Sequence, residues 1–238
     1  MKFINKFFLG FVLINFSSCT IYGDNPEDPF EPINRKTYAV NNLIDKNFLK
    51  PTAKVYKAVI PSFIRKGINN VYNNIAMLPT IANDLFQTDF NYAIKDTWRF
   101  FFNSTIGIGG FFDVAASSFK LPPHNNDLGI TFAKWGDTKS PYVVIPLLGP
   151  STIRDGMGML FDYSLFTPYF WIPNDDAAYS ILAVRYVDLR SQLLEMDKYV
   201  DESFDQYAFV RDAYLQHRNY LINGEPQEDT GSLYIGEE

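Results

Sequence analysis

The sequence predicts a mainly α-helical single domain. Between residues 28 and 224, apolar residues recur every three or four positions in one segment after another, which is the period of amphipathic helices. No internal repeat and no Pro-, Gly- or Ser-rich linker divides this stretch, so we expect one domain. A composition that is 47% hydrophobic and 20% charged is typical of a folded protein. Residues 121–150 depart from the helical pattern and predict an irregular β-hairpin-like loop.

The N-terminus predicts a secretory signal followed by a lipidation site. Residues 1–18 combine two lysines, a short apolar run and small residues at the end, which is the pattern of a signal peptide. Cys19 is the only cysteine, and its place directly after the signal resembles the lipobox of bacterial lipoproteins, in which the thiol is acylated. A plain signal peptide with an incidental thiol is the alternative. We expect a lipid-anchored chain, with residues 19–27 as a tether and residues 225–238 as an acidic disordered tail.

Prolines and acids predict the limits of the first helices. Residues 28–31 place acids and a proline at the start of a helix that runs to Asp45, where free N–H groups favour them. Pro51 and Pro61 are expected to interrupt the next stretch and to confine a short helix between them.

A polar helix face is predicted between Pro61 and Pro79. A narrow apolar stripe lies opposite four asparagines: Asn69, Asn70, Asn73 and Asn74. Because Asn is unfavourable inside a helix, this face is expected to hydrogen-bond to more than solvent; a short, turn-rich helix is the alternative. Pro79 should end the helix, Ile81 and Leu85 should belong to another short helix, and Asp89 should cap the one that follows.

The stretch 98–119 is the most unusual part of the sequence. It carries only two formal charges, Arg99 and Asp113, and its phenylalanines surround a cluster of three glycines. A segment this apolar belongs in a protein core or in lipid. Its charges and glycines argue against a continuous membrane span. Two interpretations follow: a buried hairpin core, or a segment half-immersed in a bilayer. Asp113 is expected to cap a helix or to pair with Arg99.

A second aromatic belt follows at residues 157–172, with Asp162 as its lone charge. We expect the Asp162 carboxylate, too, either to cap a helix or to pair with Arg99 or Arg154. The two belts either pair in a core or lie together at a membrane face.

Two amphipathic helices are predicted after the second belt. Asp175 or Asp176 should cap the first, whose polar face is expected to be wet and holds Arg185, Asp188, Arg190 and Glu195. Ser203 should open the last helix, and Gly224 should close it.

No catalytic, metal or cofactor site is expected. His124 and His217 stand far apart, with no cysteine or paired carboxylate at ligand spacing. The glycines at 107, 109 and 110 match neither a dinucleotide-binding nor a phosphate-binding loop, and no nucleophile elbow is present. A net charge of −6 without a basic run argues against nucleic acid as a partner. We therefore expect a protein that is not an enzyme.

Ordered blocks of residues over nearly the entire mature chain resemble the MlaA/VacJ family of outer-membrane lipoproteins. Blocks of this length are far more specific than any single motif. They include Asp28-Pro29-Phe30-Glu31, Arg65-Lys66-Gly67, Asn103-Ser104-Thr105-Ile106-Gly107-Ile108-Gly109-Gly110, Gly149-Pro150-Ser151 and Arg211-Asp212-Ala213-Tyr214.

The resemblance implies a helical ring with an amphipathic central channel, lying in the periplasmic-side leaflet of the outer membrane. Family members associate with trimeric porins, remove misplaced phospholipids from the outer leaflet and pass them to a periplasmic carrier of the Mla pathway, without hydrolysing anything. We therefore expect retrograde phospholipid transport that maintains lipid asymmetry. A structural lipoprotein that braces porins or the envelope is the alternative, and a lipid-processing enzyme is disfavoured.

Two sets of site residues are expected. The family's features favour a membrane-immersed helix, bend and helix for residues 98–119. Aromatic residues of both belts should contact membrane or lipid. They are Trp98, Phe101, Phe102, Phe111, Phe112, Phe166, Phe170 and Trp171. A gating loop is expected at Gly136, Ser140, Pro141 and Gly149. Ser140 stands where the family usually has Gly, and Ala133 and Leu128 also depart from its pattern. If flexibility of this loop gates the channel, these three residues should make the loop stiffer.

Overall fold

Helices make up most of residues 25–224, the part of the chain that the computed structural model describes. In chain order the elements are α1 (Glu31–Ile44), α2 (Lys50–Val59), α3 (Ser62–Phe86), α4 (Phe90–Thr105), α5 (Val114–Phe119), α6 (Leu128–Lys134), β1 (Tyr142–Ile145), β2 (Gly149–Thr152), α7 (Ile153–Phe161), α8 (Asp175–Gln192), α9 (Asp197–Glu202) and α10 (Gln206–Asn223). They form one helical domain with a two-stranded sheet, which confirms the predicted fold class. The predicted signal peptide, Cys19 and the acidic tail lie outside the described residues.

The chain remains helical from α1 into α2, so the predicted interruption at Pro51 is wrong. A π-helical turn, Asp45–Leu49, joins the two helices, and the N–H of Lys50 donates to the carbonyl of Asp45. Pro51 therefore falls in the first turn of α2, where a proline is tolerated. Pro61 does separate α2 from α3, as predicted.

α3 is a single long helix, and the predicted end at Pro79 is wrong as well. Pro79 is buried inside α3, which packs along α4. Asn83 Nδ2 donates to the carbonyl of Pro79 over 2.9 Å, and Thr80 Oγ1 donates to Ala76 over 3.0 Å. These hydrogen bonds and the packing of α3 on α4 together outweigh the roughly 3 kcal/mol that an internal proline costs a helix.

Residues 98–119 form the predicted helix, bend and helix. After α4 the chain reverses through Ile108, Gly109 and Gly110, which all have positive φ angles of 54°, 66° and 94°. A Cβ at Gly110 would lie 2.5 Å from the Cβ of Asn74, so only glycine lets the turn approach α3 this closely.

Residues 121–150 contain a helix that the sequence did not predict. Ile130 and Phe132 alternate with polar residues as in a strand, yet they lie in α6, which Asp127 caps by accepting from the N–H of Ile130 over 2.9 Å. The hairpin follows α6: β1 and β2 are antiparallel, with Tyr142 opposite Thr152. A seven-residue helix is too short for its periodicity to be recognised.

The polar face of α8 is less exposed than expected: Asp188 is buried and Arg185 and Arg190 are half-buried, whereas Glu195, just beyond the helix, is exposed as expected. Asp188 is buried and accepts hydrogen bonds from Tyr56 Oη (3.0 Å) and Gln192 Nε2 (2.9 Å), whereas Tyr179 and Leu189 are exposed. The interior supplies partners for the polar face, and the apolar face is left outside. Two caps also differ from the prediction, since Asn174 caps α8 and Asp205 caps α10.

A conventional apolar core lies where α1, the hairpin and α10 meet. Tyr142, Val144 and Tyr207 are buried together, with Tyr38 and Tyr214 packed against them. Gly224 ends α10 with a φ of 70°, as predicted.

Candidate functional site: an apolar exterior over a polar interior

Large apolar side chains cover the outside of α3, α4, α5 and the turn between the last two. Trp98 is 50% exposed and Phe112 is 53% exposed. The exposed set includes Phe63, Leu85, Phe86, Phe90, Trp98, Phe101, Ile106, Ile108, Phe112 and Phe119. An apolar surface of this extent marks an interaction with an apolar partner or a membrane. Among the described helices, none is both long and apolar enough to cross a membrane.

Polar side chains fill the interior beneath that surface. The buried polar residues of α3 and α4 are Asn74, Thr80, Asn83, Asp84, Asp96, Arg99 and Asn103. Charged residues are rarely buried in soluble domains unless they are paired. This region therefore reverses the usual distribution, with polar groups inside, although Asn74, Asp84 and Arg99 each keep one atom unpartnered among the described residues, and aromatic groups outside.

Arg99 and Asp113 form the buried pair that ties α4 to α5. Arg99 Nη2 lies 3.1 Å from Asp113 Oδ2, and its Nη1 donates to the carbonyl of Leu121. Asp113 also caps α5 through the N–H of Ala116 and accepts from Asn103 Nδ2. Burial alone raises the pKa of Asp113, but these donors together hold it below its usual range. Both predicted roles of Asp113, capping and pairing, are confirmed.

The asparagine face of α3 does hydrogen-bond to more than solvent, and its partners lie within the protein. Asn69 and Asn73 accept from the two Nη atoms of Arg185 over 2.9 and 3.2 Å. Asn70 donates to the carbonyl of Phe111, and Asn74 Nδ2 donates to Ser104 Oγ over 2.9 Å. These bonds fix α8 and the glycine turn against α3.

Asp162 was expected to cap a helix or to pair with an arginine; among the described residues it forms no ion pair with an arginine and accepts instead from the first N–H of α6. It accepts from Asn83 Nδ2 over 2.9 Å and from the N–H of Leu128 over 2.8 Å, so it links α3 to the start of α6. Burial raises the pKa of Asp162 to about 6, because no cation compensates for the lost water. Asn83 in turn accepts from Thr131, which extends the network into α6.

Asp84, Asp96 and His124 come together although the sequence separates them widely. Their candidate ligand atoms all lie within 4.8 Å of one another. His124 Nδ1 is 2.8 Å from Asp96 Oδ2 and 3.8 Å from Asp84 Oδ1. Hydrogen bonding to Asp96 raises the pKa of His124, and burial raises the pKa of Asp84 to about 6. The sequence carries no local signal of this cluster, because only the packing of α4 and of the segment before α6 on α3 brings the three residues together.

The predicted aromatic contacts divide between exposed and packed positions. Trp98, Phe101, Phe112 and Trp171 are exposed, Trp171 to 72%. Three others are half-buried: Phe102 stacks on Phe119 at 3.9 Å between ring centroids, Phe111 lies over Gly67, and Phe166 lies 6.0 Å from Phe86. The side chain of Phe170 lies outside the described part of the structure.

The predicted gating-loop residues surround the hairpin and are anchored on α7. Ser140 Oγ accepts from the N–H of Arg154 over 2.9 Å, and the carbonyl of Pro141 accepts from the N–H of Ile153 over 3.1 Å. Gly136 and Gly149 adopt φ angles of 122° and 92°, which side-chain-bearing residues rarely adopt. The gating role of these residues remains a prediction.

A cavity of about 310 Å³ lies between α1, the turn of the hairpin, α9 and α10. Apolar side chains of the hairpin and α10, such as Leu148 and Val210, line one part of it. Charged side chains line another part, and Arg190 there bonds to both Asp45 and Asp197. The cavity is thus amphipathic.

These features define a class of protein: a helical domain whose exterior suits an apolar environment and whose interior is held by polar networks. The model of a family described as MlaA lipoprotein matches residues 26–221. The chain belongs to the MlaA lipoprotein family, which confirms the resemblance found in the sequence.

Several known proteins are similar to this chain. An uncharacterized protein of Rickettsia bellii is 35% identical over 196 residues, or 82% of this chain and 76% of the relative. The "Intermembrane phospholipid transport system lipoprotein MlaA" of Escherichia coli K12 is 31% identical over 218 residues, or 87% and 84% of the two chains. A solved structure described as "Structural basis for maintenance of bacterial outer membrane lipid asymmetry" matches with a TM-score of 0.71 and 30% identity, over 82% of this chain and 99% of the other.

Proposed function

We propose that this protein is a lipid-anchored component of an intermembrane phospholipid transport system. In this role it removes misplaced phospholipids from the outer leaflet of the outer membrane and passes them to a periplasmic carrier. Family membership and the name of the E. coli relative support this assignment. It chemically transforms nothing, and its partners are phospholipid, a trimeric porin and the carrier protein.

The observation that carries the proposal is the reversed distribution of polar and apolar groups in residues 62–119. Trp98, Phe101 and Phe112 would be unfavourable in water, at about 25 cal/mol per Å² of apolar area, but favourable against lipid tails. We infer that this face lies in the periplasmic-side leaflet of the outer membrane, where acylated Cys19 anchors the chain. The polar interior then keeps the buried charges of Asp84, Asp96 and Arg99 away from hydrocarbon.

A phospholipid needs a path that is charged at one end and apolar along its length. The domain is proposed to form a ring around such a path, and the amphipathic cavity bounded by α1, α9 and the hairpin supports it. In this proposal the hairpin, which Ser140 attaches to α7, gates the path.

The test combines lipid crosslinking with an assay in cells. Photoreactive residues replace Phe101 and Trp171 on the exposed aromatic surface, and Gln216 on the exposed side of α10 is the matched control. We expect phospholipid adducts at both aromatic positions and few or none at Gln216. In cells that lack the protein, outer-leaflet phospholipid should rise while porin levels hold. Falling porin levels with unchanged outer-leaflet phospholipid would instead support a structural role.

A further inference from the structure

The cluster of Asp84, Asp96 and His124 lies in the polar interior beneath the apolar surface of α3 and α4, and the His124 ring stacks on Tyr92 of α4. Asp84 belongs to the last turn of α3, Asp96 to the middle of α4, and His124 to the segment between α5 and α6. The cluster therefore joins three parts of the chain that are distant in sequence. The lipid-transport proposal assigns it no role.

The two carboxylates are buried without a lysine or arginine partner. Asp84 is 0% exposed and Asp96 is 1% exposed. Among the ion pairs of the described residues, both carboxylates pair only with His124. Even a protonated imidazole leaves one negative charge uncompensated, and burial of such a charge is strongly unfavourable.

One oxygen of the cluster has no hydrogen-bond partner. Asn126 Nδ2 donates to Asp84 Oδ1 over 2.7 Å, but Asp84 Oδ2 is fully buried and no N–H donor of the described residues reaches it; the other carboxyl group beside Asp84 is that of Asp96. Buried polar atoms almost always have a partner, so this oxygen points to a ligand.

The geometry suits a small cation with tetrahedral ligands. Ligand atoms at about 2.0–2.2 Å from one such ion lie roughly 3.3–3.6 Å apart. His124 Nδ1 is 2.8 Å from Asp96 and 3.8 Å from Asp84, so small side-chain rotations bring all three to that spacing. The His124 side chain is 29% exposed, which leaves access for the ion and for water as a fourth ligand.

We propose that Asp84, Asp96 and His124 bind one divalent transition-metal cation of the Zn²⁺ class, which holds α3, α4 and the segment before α6 together. One imidazole nitrogen with two carboxylate oxygens suits Zn²⁺ better than Mg²⁺ or Ca²⁺, which prefer oxygen ligands only. Asn126 orients the Asp84 carboxylate from outside the ligand set. The ion is structural in this proposal, because its three protein ligands come from three separate segments that it would join.

The experiment uses the full lipidated chain in detergent, purified through a tag without histidine, stripped with EDTA and titrated with ZnCl₂. We expect one Zn²⁺ per chain by elemental analysis and a melting temperature that rises with Zn²⁺ concentration. Co²⁺ in place of Zn²⁺ should give the visible absorption of a tetrahedral site. Mg²⁺ or Ca²⁺ at the same concentration should bind far more weakly.

Variants separate this site from incidental binding. D96N and H124Q should lose the bound Zn²⁺, its thermal shift and the Co²⁺ spectrum, and N126A should weaken binding about 10–100-fold. H217Q controls for a histidine elsewhere, and D162N controls for a buried carboxylate; both should retain one Zn²⁺. Circular dichroism verifies folding, and N126A tests the site if D96N does not fold. An unmodified protein that is folded but binds no Zn²⁺, or equal binding by H124Q, would overturn the proposal.

Discussion

Two regions of this molecule solve the problem of burial in opposite ways. The aromatic-faced region, residues 62–119, buries Asp96, Arg99 and Asn103 and exposes its tryptophan and phenylalanines. The tyrosine core region, formed by α1, the hairpin and α10, buries Tyr142, Val144 and Tyr207. Hydrophobic burial stabilises the second region in water, whereas the first needs polar pairing inside and an apolar environment outside. The difference is what the proposed function expects of one domain that faces both water and lipid.

The largest expected effect comes from breaking the buried ion pair of the aromatic-faced region. The Arg99 side chain is 5% exposed and that of Asp113 is 28% exposed, so R99A should lower the free energy of unfolding by about 3–4 kcal/mol, because a partly buried Asp113 keeps its charge without its cation. R35A is the matched control in the tyrosine core region. Arg35 is 41% exposed, and the loss of its pair with Asp205 should cost only about 0–1 kcal/mol. Denaturant unfolding measures both, and equal losses would contradict the contrast.

The second effect concerns the polar network that extends from the aromatic-faced region to Asp162. Burial raises the pKa of Asp162 in the folded state to about 6, above its ordinary value of about 3.9, so the folded state binds the proton more tightly. The resulting stability is fully present below about pH 4 and is lost as the pH rises through about 6. Relative to D162N, the wild type should therefore lose about 3 kcal/mol of unfolding free energy between pH 4 and pH 7.

D205N provides the control of opposite sign for this pH dependence. Hydrogen bonding to Arg35 lowers the pKa of Asp205 to about 2. Its contribution is present above about pH 4 and is lost as the pH falls toward 2. If the difference in unfolding free energy between the wild type and D162N stays constant from pH 4 to pH 7, the role assigned to Asp162 is refuted.

A smaller effect separates two tyrosines of the tyrosine core region. Tyr207 Oη donates to the buried carboxylate of Asp28, so Y207F should cost about 1.5–3 kcal/mol. The buried hydroxyl of Tyr142 has no hydrogen-bond partner among the described residues, so Y142F should be neutral or slightly stabilising. Thermal and denaturant unfolding test the pair. A larger loss for Y142F than for Y207F would show that the hydrogen bonds are misassigned.

The smallest expected effect is at the hairpin that borders the tyrosine core region. S140G removes the hydrogen bond from the N–H of Arg154 and should cost about 0.5–1.5 kcal/mol. Amide exchange in residues 136–141 should accelerate, whereas exchange in α10 should not change. If the hairpin gates lipid passage, detergent sensitivity and outer-leaflet phospholipid should change too. Unchanged values would count against gating by this loop.

Local signals predicted much of the fold. Asp89 and Asp113 cap the helices assigned to them, and Gly109 and Gly110 form the expected bend. Each of these features depends on a side chain or φ angle within a few residues, so the sequence contains the necessary information.

Tertiary packing decided the features that the sequence did not predict. Pro79 remains inside α3 because packing against α4 outweighs its local cost. Asp188 looked like a solvent-facing residue, but Tyr56 and Gln192 satisfy it inside the protein. Periodicity shows that a helix has two faces, but it does not show which one is buried when the surroundings are apolar.

The most direct test of the account is the environment of the aromatic face. Cys19 is the only cysteine and is expected to be acylated, so single cysteines at Phe101, Phe112 and Gln216 accept spin labels selectively. In native-like membranes, power saturation should show high accessibility to oxygen and low accessibility to a polar nickel reagent at Phe101 and Phe112, and the reverse at Gln216. Access of the nickel reagent to all three positions alike would contradict the proposal that residues 62–119 face lipid.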